Sequence, residues 1–420
     1  MADYLKASGG DADLLRVATA GSVDDGKSTL VGRLLYDSRS VLSDQLAAIG
    51  ARSPVNGQDG PDLALLTDGL RAEREQGITI DVAYRYFATA SRRFVLADNP
   101  GHVQYTRNMV TGSSTAQVTV VLIDARKGVV EQTRRHTAVA ALLRVPRVVA
   151  AVNKMDLVDW DEQTFARTAQ AFAECADRLG VPEVATIPVS ALRGDNVIAP
   201  SAHTDWYGGP TLLEYLESVP VGDTDVAQAA RLPVQCTLTA DDGRQLPAGQ
   251  LVAGTLRVGE PVAVLPAGRT SVIESIDVLG RPATVATAPQ SVTVRLADPV
   301  DVHRGDLIAP LASSPLVRRH LTPTLCVLTG GGLRAGDRYL IRHGTQIVDA
   351  TVTRLVDRLD LATLRRVTGP EVLQVNDIGR VALELDRPLP LDDYPQYRRT
   401  GSFLVIDKSR GDTIAAGMTG

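Results

Sequence analysis

An apolar run over 14–20 gives way to Gly21-Ser22-Val23-Asp24-Asp25-Gly26-Lys27-Ser28-Thr29, and a helix is expected to open there. The stretch Gly21 to Ser28 fits the phosphate-loop pattern GxxxxGK[ST], in the strand-loop-helix setting that the pattern requires. In such a loop, backbone N–H groups cradle phosphate oxygens and the helix N-terminus adds its dipole to anion binding. Lys27 is placed to reach the β- and γ-phosphates, and the Ser28 hydroxyl to ligate Mg²⁺. A glycine turn that happens to carry a lysine matches the letters without the flanking strand and helix. The feature therefore commits the first half of the chain to an α/β domain with a mostly parallel sheet, whose ligand lies beyond the carboxyl ends of the strands.

The remaining pattern of that half agrees. Strands are expected over 14–20, 93–97, 118–123, 148–152 and 185–189, alternating with helical patterns. The clearest helix covers 161–179, with Gly180 as its stop. The run 53–62 is rich in Gly, Pro, Asn and Asp and reads as a loop. After about residue 223 the texture changes to short Val-rich runs broken by Gly and Pro, at 249–256, 261–265 and 291–296, then at 339–343, 347–353 and 401–406. Two all-β barrel domains are the natural reading. With 420 residues, too many for one ordinary core, the expected division is a flexible N-terminus over 1–13, a phosphate-loop domain over 14–222, and β domains over 223–315 and 316–420.

Two more segments of the first half carry chemistry. Asp98-Asn99-Pro100-Gly101-His102 follows a strand; Asp98 can hold Mg²⁺ through water, and Gly101 lets a backbone N–H approach a γ-phosphate. As a bare sequence, Asn-Pro-Gly is only a turn. Asn153-Lys154-Met155-Asp156 follows the strand over 148–152. A carboxylate can accept from both the N1–H and the 2-amino group of guanine, which suits Asp156 to that base. Asn153 can bond the N7/O6 side, the Lys154 stem can lie along the base plane, and Ser190-Ala191-Leu192 can offer backbone donors to O6. Ser8-Gly9-Gly10-Asp11 superficially matches another nucleotide loop, but no strand precedes it, and a flexible terminus is the simpler reading.

Composition narrows the partners. A formal charge of -5 gives no field for capturing a phosphate backbone, and 4% aromatic residues leave little for stacking single strands, so nucleic acid is not an expected partner. Cys175, Cys236 and Cys326 are widely spaced, which argues against a zinc site or a disulfide framework. The polar N-terminus has no signal-peptide core and no stretch approaches spanning length, so a cytoplasmic protein without membrane contact is expected.

Taken together, these motifs resemble the translational GTPase superfamily. The segment Glu73-Arg74-Glu75-Gln76-Gly77-Ile78-Thr79-Ile80-Asp81 is similar to its switch segment. The resemblance implies that Thr79 joins Ser28 and Asp98 at Mg²⁺, that Asp24 is the phosphate-loop aspartate, and that His102 positions the hydrolytic water. It also implies GTP as substrate and a sheet domain followed by two barrels. A finer resemblance rests on the phosphate loop itself, which departs from GHVDHGK. It rests further on Leu66-Thr67-Asp68-Gly69-Leu70-Arg71-Ala72, Gln104-Tyr105-Thr106-Arg107-Asn108-Met109, Ile123-Asp124-Ala125-Arg126-Lys127-Gly128 and Asn376-Asp377-Ile378-Gly379-Arg380-Val381. These look like the GTPase subunit of bacterial sulfate adenylyltransferase. That family implies an ATP-pyrophosphatase-like catalytic partner, with GTP hydrolysis driving formation of adenosine 5′-phosphosulfate and pyrophosphate from ATP and sulfate. Asn99 and Val103 depart from the family pattern, as do the stretches 241–249 and 342–345. A form fused to a kinase would continue past Gly420 with a second phosphate loop. An elongation-factor-like carrier of aminoacyl-tRNA shares the GTP motifs but not the finer strings. A sulfate-activating GTPase dedicated to a specialised biosynthetic pathway is compatible with the departures in the β half.

Overall fold

The computed structural model describes residues 13–38, 63, 81–221 and 224–420. The N-terminal stretch 1–12, the 53–62 loop, Thr79 with most of its switch segment, and the expected boundary at 222–223 lie outside the described residues. The chain divides into two compact units, Met1–Val221 with Leu361–Arg365, and Gly222–Asp360 with Arg366–Gly420.

The described elements of the first unit are β1 (Leu14–Ala20), α1 (Lys27–Asp37), β2 (Ala83–Ala88), β3 (Arg93–Asp98), α2 (Thr106–Ser113), β4 (Val118–Asp124), α3 (Glu131–Leu142), β5 (Arg147–Asn153), α4 (Glu162–Leu179), β6 (Glu183–Pro188) and α5 (Leu212–Ser218). Six strands form one sheet in the order β2-β3-β1-β4-β5-β6. β2 runs antiparallel to β3 and every other neighbouring pair is parallel. All of β4 is buried and nearly all of β5. Central strands covered on both faces read as continuous apolar runs, which is why they are legible in sequence. β2 (AYRYFA) is an edge strand with exposed Tyr84 and Tyr86, and its mixed composition hid it from the sequence reading. The expected helix over 161–179 begins one residue later. Asp161 is its cap, accepting from the Thr164 N–H at 2.8 Å, and Gly180 ends it in the left-handed conformation. Leu15, Val17, Leu34, Phe94, Leu96, Val149, Ile187 and Leu212 belong to the main core.

β1 lies between β3 and β4, so consecutive crossovers leave it in opposite directions. A crevice opens at such a reversal, beyond the carboxyl ends of the strands, and the phosphate loop follows β1 directly into it.

Among the described residues the second unit contains a two-stranded sheet pairing Thr255–Arg257 with Val285–Thr287, and two antiparallel sheets of eight strands each, one between Leu232–Pro233 and Leu307–Pro310, the other between Leu316–Leu321 and Thr413–Met418. In the latter, Ile378–Leu391, Thr324–Val327, Thr413–Met418, Ser402–Ile406, Arg338–His343 and Gln346–Asp360 pair in turn, and the last pairs back to the first, closing a six-stranded barrel. The sequence runs at 261–265 and 291–296 are strands as expected. The run at 249–256 is not one strand. It splits between Gln245–Gln250 and Thr255–Arg257, which belong to different sheets, with Gly254 at a φ of 68° between them. Arg231 joins the two larger sheets within the unit by a buried fork onto Asp392, both contacts at 2.9 Å.

Candidate functional site

At the carboxyl end of β1 the phosphate loop closes on itself. Lys27 is buried, and its ammonium donates to the carbonyls of Gly21 at 2.9 Å and Ser22 at 2.7 Å. Burial depresses its pKa, opposed by the carboxylates of Asp98, Asp25 and Asp24. The Ser22 N–H donates to the Asp25 carboxylate at 2.7 Å. Burial raises the Asp25 pKa despite that bond and the nearby Lys27 charge. Ser22 Oγ is buried without a hydrogen-bond partner. Gly26 takes a φ of 96°, and a Cβ there would fall 2.4 Å from Asn153 Nδ2. Glycine is thus required by both conformation and space.

The second phosphate segment arrives from β3. Asp98 is buried and accepts the Thr19 hydroxyl at 3.0 Å. A side chain at Gly101 would meet Lys27 Nζ at 2.3 Å and the Gly21 carbonyl at 2.7 Å, so the backbone at Gly101 packs directly on the phosphate loop. His102 is exposed, and its Nδ1 accepts from the Gln104 N–H at 3.2 Å.

The base segment is bolted to the phosphate loop. Asn153 Nδ2 donates to the Asp25 carbonyl at 2.7 Å, and its Oδ1 accepts from the Ala191 N–H at 2.9 Å. The sequence reading gave this amide to guanine N7 and O6. The amide is also a strut joining three loops, with one Nδ2 hydrogen and one Oδ1 lone pair left over, and it engages one of the donors assigned to O6. Ser190 N–H is likewise engaged, by the Asp195 carbonyl at 3.2 Å. Leu192 follows on the same turn, and Arg33 from α1 holds the turn by donating to the Ala191 carbonyl at 3.2 Å. Lys154 takes a φ of 64° and donates to the Asp24 carbonyl. Its ammonium also lies 3.1 Å from Asp124 Oδ2, because β4 and β5 pair with Asp124 opposite Asn153. Burial alone would raise the Asp124 pKa, but hydrogen bonds from Arg126 and Lys154 hold it well below the usual carboxylate range.

Residues from five different strand ends thus converge in one crevice, with the loops that would flank a base and a phosphate chain bonded to each other. Residues 12–221 match the model described as the Elongation factor Tu GTP binding domain, and residues 320–419 the GTP-eEF1A C-terminal domain-like model. A bifunctional enzyme CysN/CysC of Mycobacterium tuberculosis (strain ATCC 25618 / H37Rv) is 50% identical over 412 residues, covering 96% of this chain and 67% of that protein. Sulfate adenylyltransferase subunit 1 of Laribacter hongkongensis (strain HLHK9) is 45% identical over 412 residues, covering 97% of this chain and 85% of its own length. The chain belongs to the sulfate adenylyltransferase subunit 1 family. The protein of that name from Aeromonas hydrophila is 46% identical over 407 residues, covering 96% and 86% of the two chains.

Within this subunit 1 family member, the departure at Asn99 has a local role. Its fully buried amide donates to the Thr19 carbonyl at 2.9 Å and to Ser113 Oγ at 3.2 Å, tying β3 to β1 and α2. Sequence reading missed His136. It lies in no nucleotide motif, yet from α3 its Nδ1 accepts the Gly21 N–H at 2.9 Å. Its other nitrogen lies 2.9 Å from Gln132, whose amide donates to the Gly101 carbonyl at 3.2 Å. Burial, then the charges of Lys27 and Arg135, push its pKa down to about 3, so the ring is neutral. Asp124 and Arg126 were visible only as part of a family string. Among the described residues, no three His, Cys, Asp or Glu side chains cluster as metal ligands, and no helix is long and apolar enough to cross a membrane.

Proposed function

We propose that this chain is the GTP-hydrolysing subunit of a sulfate adenylyltransferase. In this reading GTP hydrolysis drives synthesis of adenosine 5′-phosphosulfate and pyrophosphate from ATP and sulfate on an ATP-pyrophosphatase-like partner subunit. The observation that carries it is the bonding of the base loop to the phosphate loop through Asn153 and Lys154, on a chain 45% identical to a named subunit 1 over 97% of its length. The same relatives favour this reading over an aminoacyl-tRNA carrier.

In this reading the loop over 21–29 receives the phosphates through the N–H groups beyond Ser22, since those of Gly21 and Ser22 are engaged by His136 and Asp25, and the orphaned Ser22 hydroxyl gains an acceptor. Lys27, now spent on loop carbonyls, turns part of its bonding to the β- and γ-phosphates. Ser28 and Asp98, with Thr79, supply a hydroxyl and carboxylate set of hard oxygen donors that suits Mg²⁺. Magnesium, when bound, offsets charge on the β- and γ-phosphate oxygens. Gly101 approaches the γ-phosphate by its backbone, and His102 orients the attacking water. Asp156 accepts from guanine N1 and the 2-amino group, and with the Ser190 and Ala191 N–H groups engaged the Leu192 N–H serves O6.

The test is parallel measurement of phosphate release from GTP and pyrophosphate release from ATP in the presence of sulfate and the partner subunit. Wild type should consume ATP in proportion to GTP. His102→Ala should keep GTP affinity while slowing hydrolysis by roughly 10²-fold or more, the range for a positioned catalytic group, and should lose the driven accumulation of product. Normal GTP turnover in that variant removes the role of His102. ATP consumption indifferent to GTP in wild type removes the coupled reading.

A further inference from the structure

The carboxylate of Asp156 has a neighbourhood that the base-reading motif does not account for. Its side chain is only 6% exposed, and an enclosed carboxylate is costly unless a cation or hydrogen-bond donor faces it. Arg126 is the cation of β4's end, but its guanidinium is committed to Asp124 by two bonds, at 3.0 and 2.6 Å. Arg126 acts on Asp156 only at longer range; among the described residues the cation within ion-pair distance of Asp156 is Arg193, with Nε 3.9 Å from Oδ2. At that distance the pair is electrostatic and leaves the carboxylate lone pairs for other donors.

Arg193 is mostly exposed, and such a side chain ordinarily wanders, which is why exposed ion pairs contribute little. Here it is fixed at both ends. Its N–H donates to Ser190 Oγ at 3.2 Å, and its guanidinium carbon sits 5.2 Å from the centroid of the Trp160 ring, a cation–π distance. Trp160 is itself held. Its carbonyl accepts from Trp206 Nε1 at 3.1 Å, and the His203 ring stacks on it at 4.2 Å. The cluster forms because Trp160 closes the short turn after Asp156 while Trp206 arrives on the loop before α5.

We propose that Arg193 is a positioning residue for guanine selection. Held against Trp160, it keeps the Asp156 carboxylate aimed at the base. Removing it weakens the grip on the 2-amino group more than the grip on the rest of the nucleotide. The proposal rests on Asp156 reading guanine, and adds to that reading the group that disciplines the reader.

The experiment is competition binding of GTP and inosine triphosphate, which lacks the 2-amino group, to the full chain. A residue that merely stabilises the fold lowers both affinities together. Arg193→Ala should instead cut the preference for GTP by about three- to tenfold, the summed size of a modest ion pair and a cation–π contact, and weaken inosine triphosphate, which keeps only the N1–H contact to Asp156, by less. Trp160→Leu should move the preference the same way, and Arg193→Lys should restore part of it. An unchanged preference in Arg193→Ala, or an equal loss for both nucleotides, overturns the proposal. Asp156→Asn separates it from its premise. If that variant abolishes the preference while Arg193→Ala does not alter it, only the role of Arg193 fails; if the preference survives Asp156→Asn, the base reading itself fails.

Discussion

Mild acid should loosen the first unit through one imidazole. His136 is neutral and buried beneath the phosphate loop, its pKa pushed from the usual 6.5 to about 3. The unfolded chain therefore takes up a proton at this ring between pH 6.5 and 3 while the folded chain does not. Stability rises with pH across that window, is fully present above it, and is lost as pH falls through it. From pH 7.5 to pH 5 the loss is about 2 kcal/mol, the logarithm of the ratio of the two proton-binding terms. The native ring cannot escape by protonating in place, because its Nδ1 lone pair holds the Gly21 N–H and Lys27 repels a second charge. His136→Asn keeps an acceptor close to Nδ1 and cannot titrate. Urea unfolding followed by tryptophan emission reports this unit, since Trp160 and Trp206 are the chain's two tryptophans. Wild type should lose about 2 kcal/mol between pH 7.5 and 5 beyond any loss in His136→Asn. The same pH dependence in both proteins would refute the argument.

Lys27→Ala should abolish tight binding of GTP and GDP while leaving the unit folded, because it removes the ammonium from the phosphate chain; equilibrium dialysis with labelled nucleotide checks the binding and tryptophan emission the fold. In the second unit, Arg231→Ala leaves the buried carboxylate of Asp392 without its fork and should destabilise the barrels by about 3 to 5 kcal/mol, read from the shift in their unfolding midpoint by circular dichroism.

The phosphate loop, the strand pattern and the order of motifs were legible in the sequence, because each is a local demand. A phosphate needs consecutive N–H groups at a helix start, a tight turn needs Gly26, and a strand buried on both faces needs an unbroken apolar run such as 118–124. β2 escaped because an edge strand that exposes Tyr84 and Tyr86 has no such run. The partners of the site residues are another matter. Asn153, read as a base contact, is in addition a strut, because β5 and β1 deliver it beside the Asp25 carbonyl. Asp124 acquired Lys154 only through the parallel register of β4 with β5. His136 lies 115 residues from Gly21, and Arg193 meets Trp160 from one loop to another. No spacing rule links such pairs. Sequence determined which chemical groups the chain owns and which strand end each one follows, since those depend on neighbours along the backbone. The tertiary structure decided which of those groups are spent on one another, since burial and hydrogen bonding depend on what the sheet order brings into contact.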